Sequence, residues 1–132
     1  MKSNILINIL GISIDNLTPL EVLNRVQKTI NNNQQVHLEG VNASKIVDMQ
    51  HDKVLYDSVV NSSIITPDGQ SIVWASKMLG KPLKERVAGI DLMHNLVTLA
   101  HEKKHTIYLL GAKQQVVEKA AARFKKNTIL QL

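Results

Sequence analysis

The chain has no cysteine, so disulfides and thiolate chemistry are excluded and a reducing compartment is the simpler expectation. Aromatic residues make up only 3% of it, too few for the stacking platforms of a nucleic-acid binder, and no recognised nucleic-acid motif appears. Nor does any window approach the roughly 20 apolar residues needed to span a bilayer. The opening "MKSNILINILGISID" is interrupted by Asn4 and Asn8 and lacks a small-residue cleavage site, so it does not read as a signal peptide. The expectation is a cytosolic chain with no nucleic-acid partner.

What remains is an ordinary globular composition, 44% apolar and 20% charged over 132 residues, enough for a single domain covering 1–132. Sixteen basic residues against eleven acidic ones leave a net charge of +5. That excess suits phosphate-bearing ligands or an anionic membrane surface, and equally a plain solvated surface.

Strand and helix signals alternate with little linker. "ILINILGISI" reads as one or two short strands broken at Gly11. "TPLEVLNRVQKTINNN" reads as a helix with Thr18 at the N-cap, Pro19 at its first position and Glu21 closing a capping box. Leu20, Leu23, Val26 and Ile30 are its expected apolar face. "VHLEGVN" is a strand, "ASKIVDMQHDKVLYDSVVNS" a helix with Ile46, Met49, Val54 and Leu55 roughly periodic, and "SIIT" a buried strand. "QSIVWASKMLG" is a helix closed by Gly80, with Trp74 and Met78 expected in the core. After the basic connection "KPLKERVAG" come the helix "DLMHNLVTLAHEKK", the strand "TIYLLG", the helix "AKQQVVEKAAARFKKN" and a last strand, "TILQL". This order predicts an α/β fold, a Rossmann-like parallel sheet with helices on both faces. The final strand has no helix after it, so the sheet reads as truncated, an N-terminal part of something longer whose bare edge could pair copies into a homo-oligomer.

In open α/β sheets ligands sit at the carboxyl ends of the strands. Three junctions have that placement: "EGVNAS", "TPDGQS" and "LLGAKQ". Free N–H groups and the helix dipole at such junctions favour an anion such as a diphosphate. The third has one glycine and does not match G-x-G-x-x-G, so an ordinary tight turn explains it as well. Asp68, between Pro67 and Gly69, fits a helix N-cap; it also fits a general base at the mouth of a sheet, and the two roles are compatible. Arg86 is either exposed charge or a guanidinium for a phosphate. "HEKKH", His101 to His105, matches H-E-x-x-H, but it is the charged end of a helix, with His105 abutting the next segment and two lysines opposing a cation. No metal site is expected there.

The run "TPDGQSIVWASKMLGKPLKERVAGIDLM", Thr66 to Met93, closely resembles the WecG/TagA/CpsF family of bacterial glycosyltransferases, and "ILGISIDNLTPLEVL", "GVNASKIV" and "IYLLGAKQQVVEKAA" resemble its flanks. The resemblance implies an inverting hexosyltransferase that moves an N-acetylmannosamine-type sugar from a UDP carrier to polyprenyl-diphosphate-linked GlcNAc. Such enzymes serve teichoic acid, common antigen, capsule or exopolysaccharide assembly at the inner face of the plasma membrane. It also implies direct displacement without a cofactor or bound metal. The family's proposed base falls on Asp68, the asparagine that holds the donor sugar on Asn42, and the arginine that aids donor or diphosphate binding on Arg86. Gly69 and Gly40 lie in the same motifs and join the substrate-binding positions. Members often carry threonine where this chain has Gly40. The resemblance covers about the first half of the family's length. A later Gln-Glu-containing motif and a C-terminal membrane-docking segment fall beyond it.

Overall fold

The computed structural model describes residues 6–129, which form two compact units, one running to Leu92 and the other starting at Met93. The first begins with an antiparallel hairpin, β1 (Leu6–Ile9) and β2 (Ile12–Asp15), in which Ile9 pairs with Ile12. Leu10 and Gly11 both take positive φ, 50° and 84°, the backbone of a two-residue turn whose twist matches that of the strands. Alternation then places Ile7, Ile9, Ile12 and Ile14 in the core.

Helix α1 (Pro19–Asn31) starts where expected. The Glu21 N–H donates to Thr18 Oγ1 (3.2 Å), and the Thr18 N–H donates to Glu21 Oε2 (2.7 Å). Its buried positions are Val22 and Val26, whereas Leu20 and Ile30 are exposed, so the stripe facing the core is rotated from the one expected. The expected helix over 43–62 is two: α2 (Ala43–Met49) and α3 (Lys53–Val60). Asp52 takes extended backbone angles and caps α3, its Oδ1 accepting from the Leu55 N–H at 3.0 Å, which breaks the helix there. Ile46 and Met49 reach the core as expected, while Val54 is exposed.

β3 (Leu38–Val41) pairs in parallel with β4 (Ile64–Pro67), with Gly40 opposite Thr66 and Val41 opposite Pro67. The buried carboxylate of Asp15 accepts from the Ile65 N–H at 2.9 Å and so ties the hairpin to β4. The sheet structure is therefore mixed, one antiparallel pair and one parallel pair among the described residues. Helix α4 (Gln70–Met78) follows β4 and ends with Gly80 at φ 71° in a Schellman turn, the Lys81 N–H donating to Ser76 O and the Gly80 N–H to Lys77 O. It buries Ile72, Val73 and Ser76; Trp74 is 61% exposed and Met78 89% exposed, contrary to the expectation that both lie in the core.

Helix α5 (Gly89–Glu102) begins in the first unit. In the second unit the segment 106–110 forms no strand, correcting the reading of "TIYLLG". A strand needs a partner for its N–H and C=O groups, and Ile107, Tyr108 and Leu110 are exposed instead. Helix α6 (Gln114–Ile129) runs through Thr128 and Ile129, the start of the expected last strand; the rest of "TILQL" lies outside the described residues. The rings of His94 and Phe124 meet edge-on at 5.8 Å within this unit. No helix among the described residues is long and apolar enough to cross a membrane.

Candidate functional site

Parallel pairing of β3 and β4 puts their carboxyl ends side by side, and Asn42 and Asp68 are the residues that follow. The Asp68 and Gly69 N–H groups both donate to Val41 O, at 2.9 and 3.3 Å, which locks the two strand exits together. Asn42 caps α2, its Oδ1 accepting from the Lys45 N–H at 2.9 Å. Lys45 Nζ in turn pairs with Glu39 Oε1 on β3.

Asp68 is not the cap of α4. Gly69 occupies the N-cap position and supplies no side chain. The Asp68 carboxylate turns to another helix, where its Oδ1 accepts from the Gly89 N–H at 2.8 Å, at the first residue of α5. A helix N-terminus offers an unpaired donor and the positive end of the dipole, a favourable setting for a carboxylate oxygen. No donor among the described residues reaches Asp68 Oδ2, and the side chain is one-third exposed.

Three glycines shape this corner. A Cβ on Gly40 would stand 3.2 Å from Asp68 Cβ, and one on Gly89 would stand 3.5 Å from Asp68 Oδ2. A Cβ on Gly69 would stand 3.0 Å from Asn42 Cβ. The carboxylate thus lies in a notch between Gly40 and Gly89, while Gly69 lets Asn42 and the start of α4 approach closely. Gly89 was not among the site residues expected from sequence. Its signals are its place in the run that resembles the family and, at the end of "KERVAG", just ahead of a helical pattern.

The connection that carries Arg86 is pinned along its length. Buried Ser76 Oγ accepts from the Leu83 N–H (2.9 Å) and donates to Val73 O (2.7 Å). Asn16 Oδ1 accepts from the Lys84 N–H (2.8 Å), and Pro67 O accepts from the Val87 N–H (2.8 Å). Lys84 Nζ also pairs with Glu21 Oε1 at 2.9 Å. Glu21 is held below the usual carboxylate range, first by the Thr18 N–H and then by Lys84. So fixed, Arg86 donates from Nε to the backbone O of Asp68 and places Nη2 4.0 Å from Asp68 Oδ1, about half exposed.

All five expected site residues, Asn42, Asp68, Arg86, Gly40 and Gly69, therefore meet at one corner of the first unit. The arrangement offers a carboxylate with one oxygen tethered and one open, a guanidinium with a free edge beside it, and an amide fixed by its own cap. Such a set can take a proton from a hydroxyl and bind an anionic oxygen group. The "LLGAKQ" junction lies in the second unit, preceded by no strand, with Gly111 and Ala112 at φ 119° and 60°. At "HEKKH", α5 ends at Glu102 and Lys104 turns to φ 57°, so His105 lies off the helix. No group of three His, Asp or Glu side chains converges to hold a metal among the described residues.

The family model described as "Glycosyl transferase WecG/TagA/CpsF family" matches residues 7–130. A Staphylococcus aureus protein named N-acetylglucosaminyldiphosphoundecaprenol N-acetyl-beta-D-mannosaminyltransferase is 34% identical over 116 residues, 86% of this chain and 46% of the relative. A Bacillus spizizenii protein of the same name is 38% identical over 73 residues, 54% of this chain and 28% of the relative. The chain thus spans about half the length of the Staphylococcus aureus relative and less of the other. On the match over residues 7–130, the chain belongs to the WecG/TagA/CpsF family of glycosyl transferases.

Proposed function

We propose that residues 1–132 are the N-terminal part of an inverting glycosyltransferase domain, its β3–β4 pair and flanking helices belonging to a Rossmann-like sheet. The donor is a UDP-linked N-acetylmannosamine-type sugar and the acceptor a polyprenyl-diphosphate-linked GlcNAc. The reaction belongs to cell-surface polysaccharide assembly at the inner face of the plasma membrane. Family membership and the names of the relatives support the transfer. The observation that carries it in this chain is the setting of Asp68, with Oδ1 tethered to the Gly89 N–H and 4.0 Å from Arg86 Nη2, and Oδ2 open in the notch between Gly40 and Gly89.

In this reading Asp68 Oδ2 takes the proton of the acceptor hydroxyl. The hydroxyl oxygen attacks the anomeric carbon from the face opposite the diphosphate, and the bond from that carbon to the diphosphate oxygen breaks. UDP leaves with the bonding electrons, and the new glycosidic bond has inverted configuration. Arg86 balances charge on the departing diphosphate, since its fork suits two oxygens at once. Asn42 holds the donor sugar. Gly40 and Gly69 keep the approach clear.

The test is acceptor-dependent UDP release by the chain, with UDP-N-acetylmannosamine and a soluble lipid-diphosphate GlcNAc analogue. The proposal expects release above the donor-alone level. No difference between the two would contradict it.

A further inference from the structure

Helix α2 begins at the site, and its first turn is held back onto the strand that precedes it. Lys45 Nζ pairs with Glu39 Oε1, and the two residues enclose Gly40, Val41 and Asn42. Both side chains are sheltered, Glu39 22% and Lys45 30% exposed, unlike the open ion pairs that contribute little. Glu39 is held from its other side as well. Its Oε2 stands 3.5 Å from His37 Nε2, and His37 Nδ1 stands 3.2 Å from Ser62 Oγ, which donates to Ser58 O at 2.9 Å. This line of contacts runs from the last turn of α3 to the first turn of α2, and no step of the transfer uses it. Asn42 joins it through Lys45. The Lys45 N–H donates to Asn42 Oδ1 at 2.9 Å, so one residue holds Glu39 by its side chain and Asn42 by its backbone. With Oδ1 engaged the amide cannot turn freely, and its Nδ2 donors meet no acceptor among the described residues.

We propose that Glu39 and Lys45 are positioning residues for the transfer: the pair holds the first turn of α2 so that the Asn42 amide presents Nδ2 to the donor sugar. A site group is only as well placed as the contacts that lock its rotamer. The inference rests on the proposed function, in which Asn42 meets that sugar. Lys45 acts through Asn42 and not on the diphosphate itself, since its charge is already matched by Glu39. Asp68 has a separate tether at the Gly89 N–H. Loss of the pair is therefore felt in donor binding and not at the base.

The experiment measures the Kd of UDP-N-acetylmannosamine by calorimetry, and its KM and kcat in acceptor-dependent UDP release, for Glu39→Gln, Lys45→Met and Lys45→Arg. Glu39→Gln and Lys45→Met should each raise donor Kd and KM about fivefold with kcat little changed. Lys45→Arg keeps the pair and should stay near the parent. In an Asn42→Ala background Lys45→Met should add almost nothing, because it acts through that amide. A Kd that rises with Lys45→Met but not with Glu39→Gln would mark Lys45 as a direct donor contact and overturn the proposal. So would variants that lower Tm while leaving Kd and KM alone, the mark of a merely structural pair, or a Lys45→Met effect undiminished without Asn42. A parent that binds no donor would overturn the proposal and the proposed function together. Donor binding that shifts as expected while UDP release is absent would count against the transfer alone.

Discussion

The Asp68 carboxylate and the Gly89 backbone N–H, 21 residues apart, are joined by a hydrogen bond of 2.8 Å. Asp68 leaves the capping of its own helix to Gly69 and instead occupies the N-terminus of α5. One oxygen is thereby fixed and the other left open, which a general base needs and a helix cap does not. Because Arg86 and Gly89 share one pinned connection, the guanidinium beside Asp68 and the N–H that orients its carboxylate are set together.

Gly69 and Gly89 should not be equivalent. In Gly69→Ala the new methyl would fall 3.0 Å from Asn42 Cβ and 3.2 Å from its Cα, with backbone on one side and little room to yield. That should cost about 1–3 kcal/mol. In Gly89→Ala the nearest atom is 3.5 Å away and φ is not positive, so the change should stay within about 0.5 kcal/mol. Urea midpoints at unchanged slope measure both.

Ser76 should matter more than its small side chain suggests. In Ser76→Ala the buried Leu83 N–H loses its acceptor. The expected cost is about 1–3 kcal/mol. The connection carrying Arg86 should loosen with it, seen as faster amide exchange at Val87 and Gly89.

Glu21 gives the fold a predictable acid limb. Its carboxyl titrates below its ordinary value of 4.5, held there by the Thr18 N–H and by Lys84. A group depressed on folding adds stability above its unfolded pKa and loses it as pH falls through the folded one. Glu21→Gln should therefore lower Tm at neutral pH, and the gap to the parent should close as pH drops below 4.5. Melting curves across that range test it, and a gap that persists at low pH would count against the pairing.

Arg86 should separate binding from folding. About half exposed, it contributes little to the core. Arg86→Gln should leave the melting temperature nearly unchanged while raising the donor KM about tenfold or more, as expected on losing a charged hydrogen bond.

Legibility followed the range of the interaction. The capping box of Thr18 and Glu21 and the closing role of Gly80 were readable, because each is settled within a few residues. The place of Asp68 at the carboxyl end of a strand was readable, but not its bond to Gly89, since that bond depends on how a connection 13 residues further on is pinned at Ser76, Asn16 and Pro67. Trp74 and Met78 were misread because apolar character alone does not say which stripe of α4 turns inward. Ile72 and Val73 take that place beside Ser76. The apolar segment around Tyr108 resembled a strand, but no described segment pairs with it.

The most direct measurement compares Asp68→Asn with the parent chain in acceptor-dependent UDP release, alongside the melting temperature of each. Asn keeps an oxygen for the Gly89 N–H, so the fold should hold while the base is lost. The account predicts a kcat lower by about a hundredfold or more with KM little changed. An active parent whose Asn variant turns over within about threefold of it would contradict the role of Asp68 as the base.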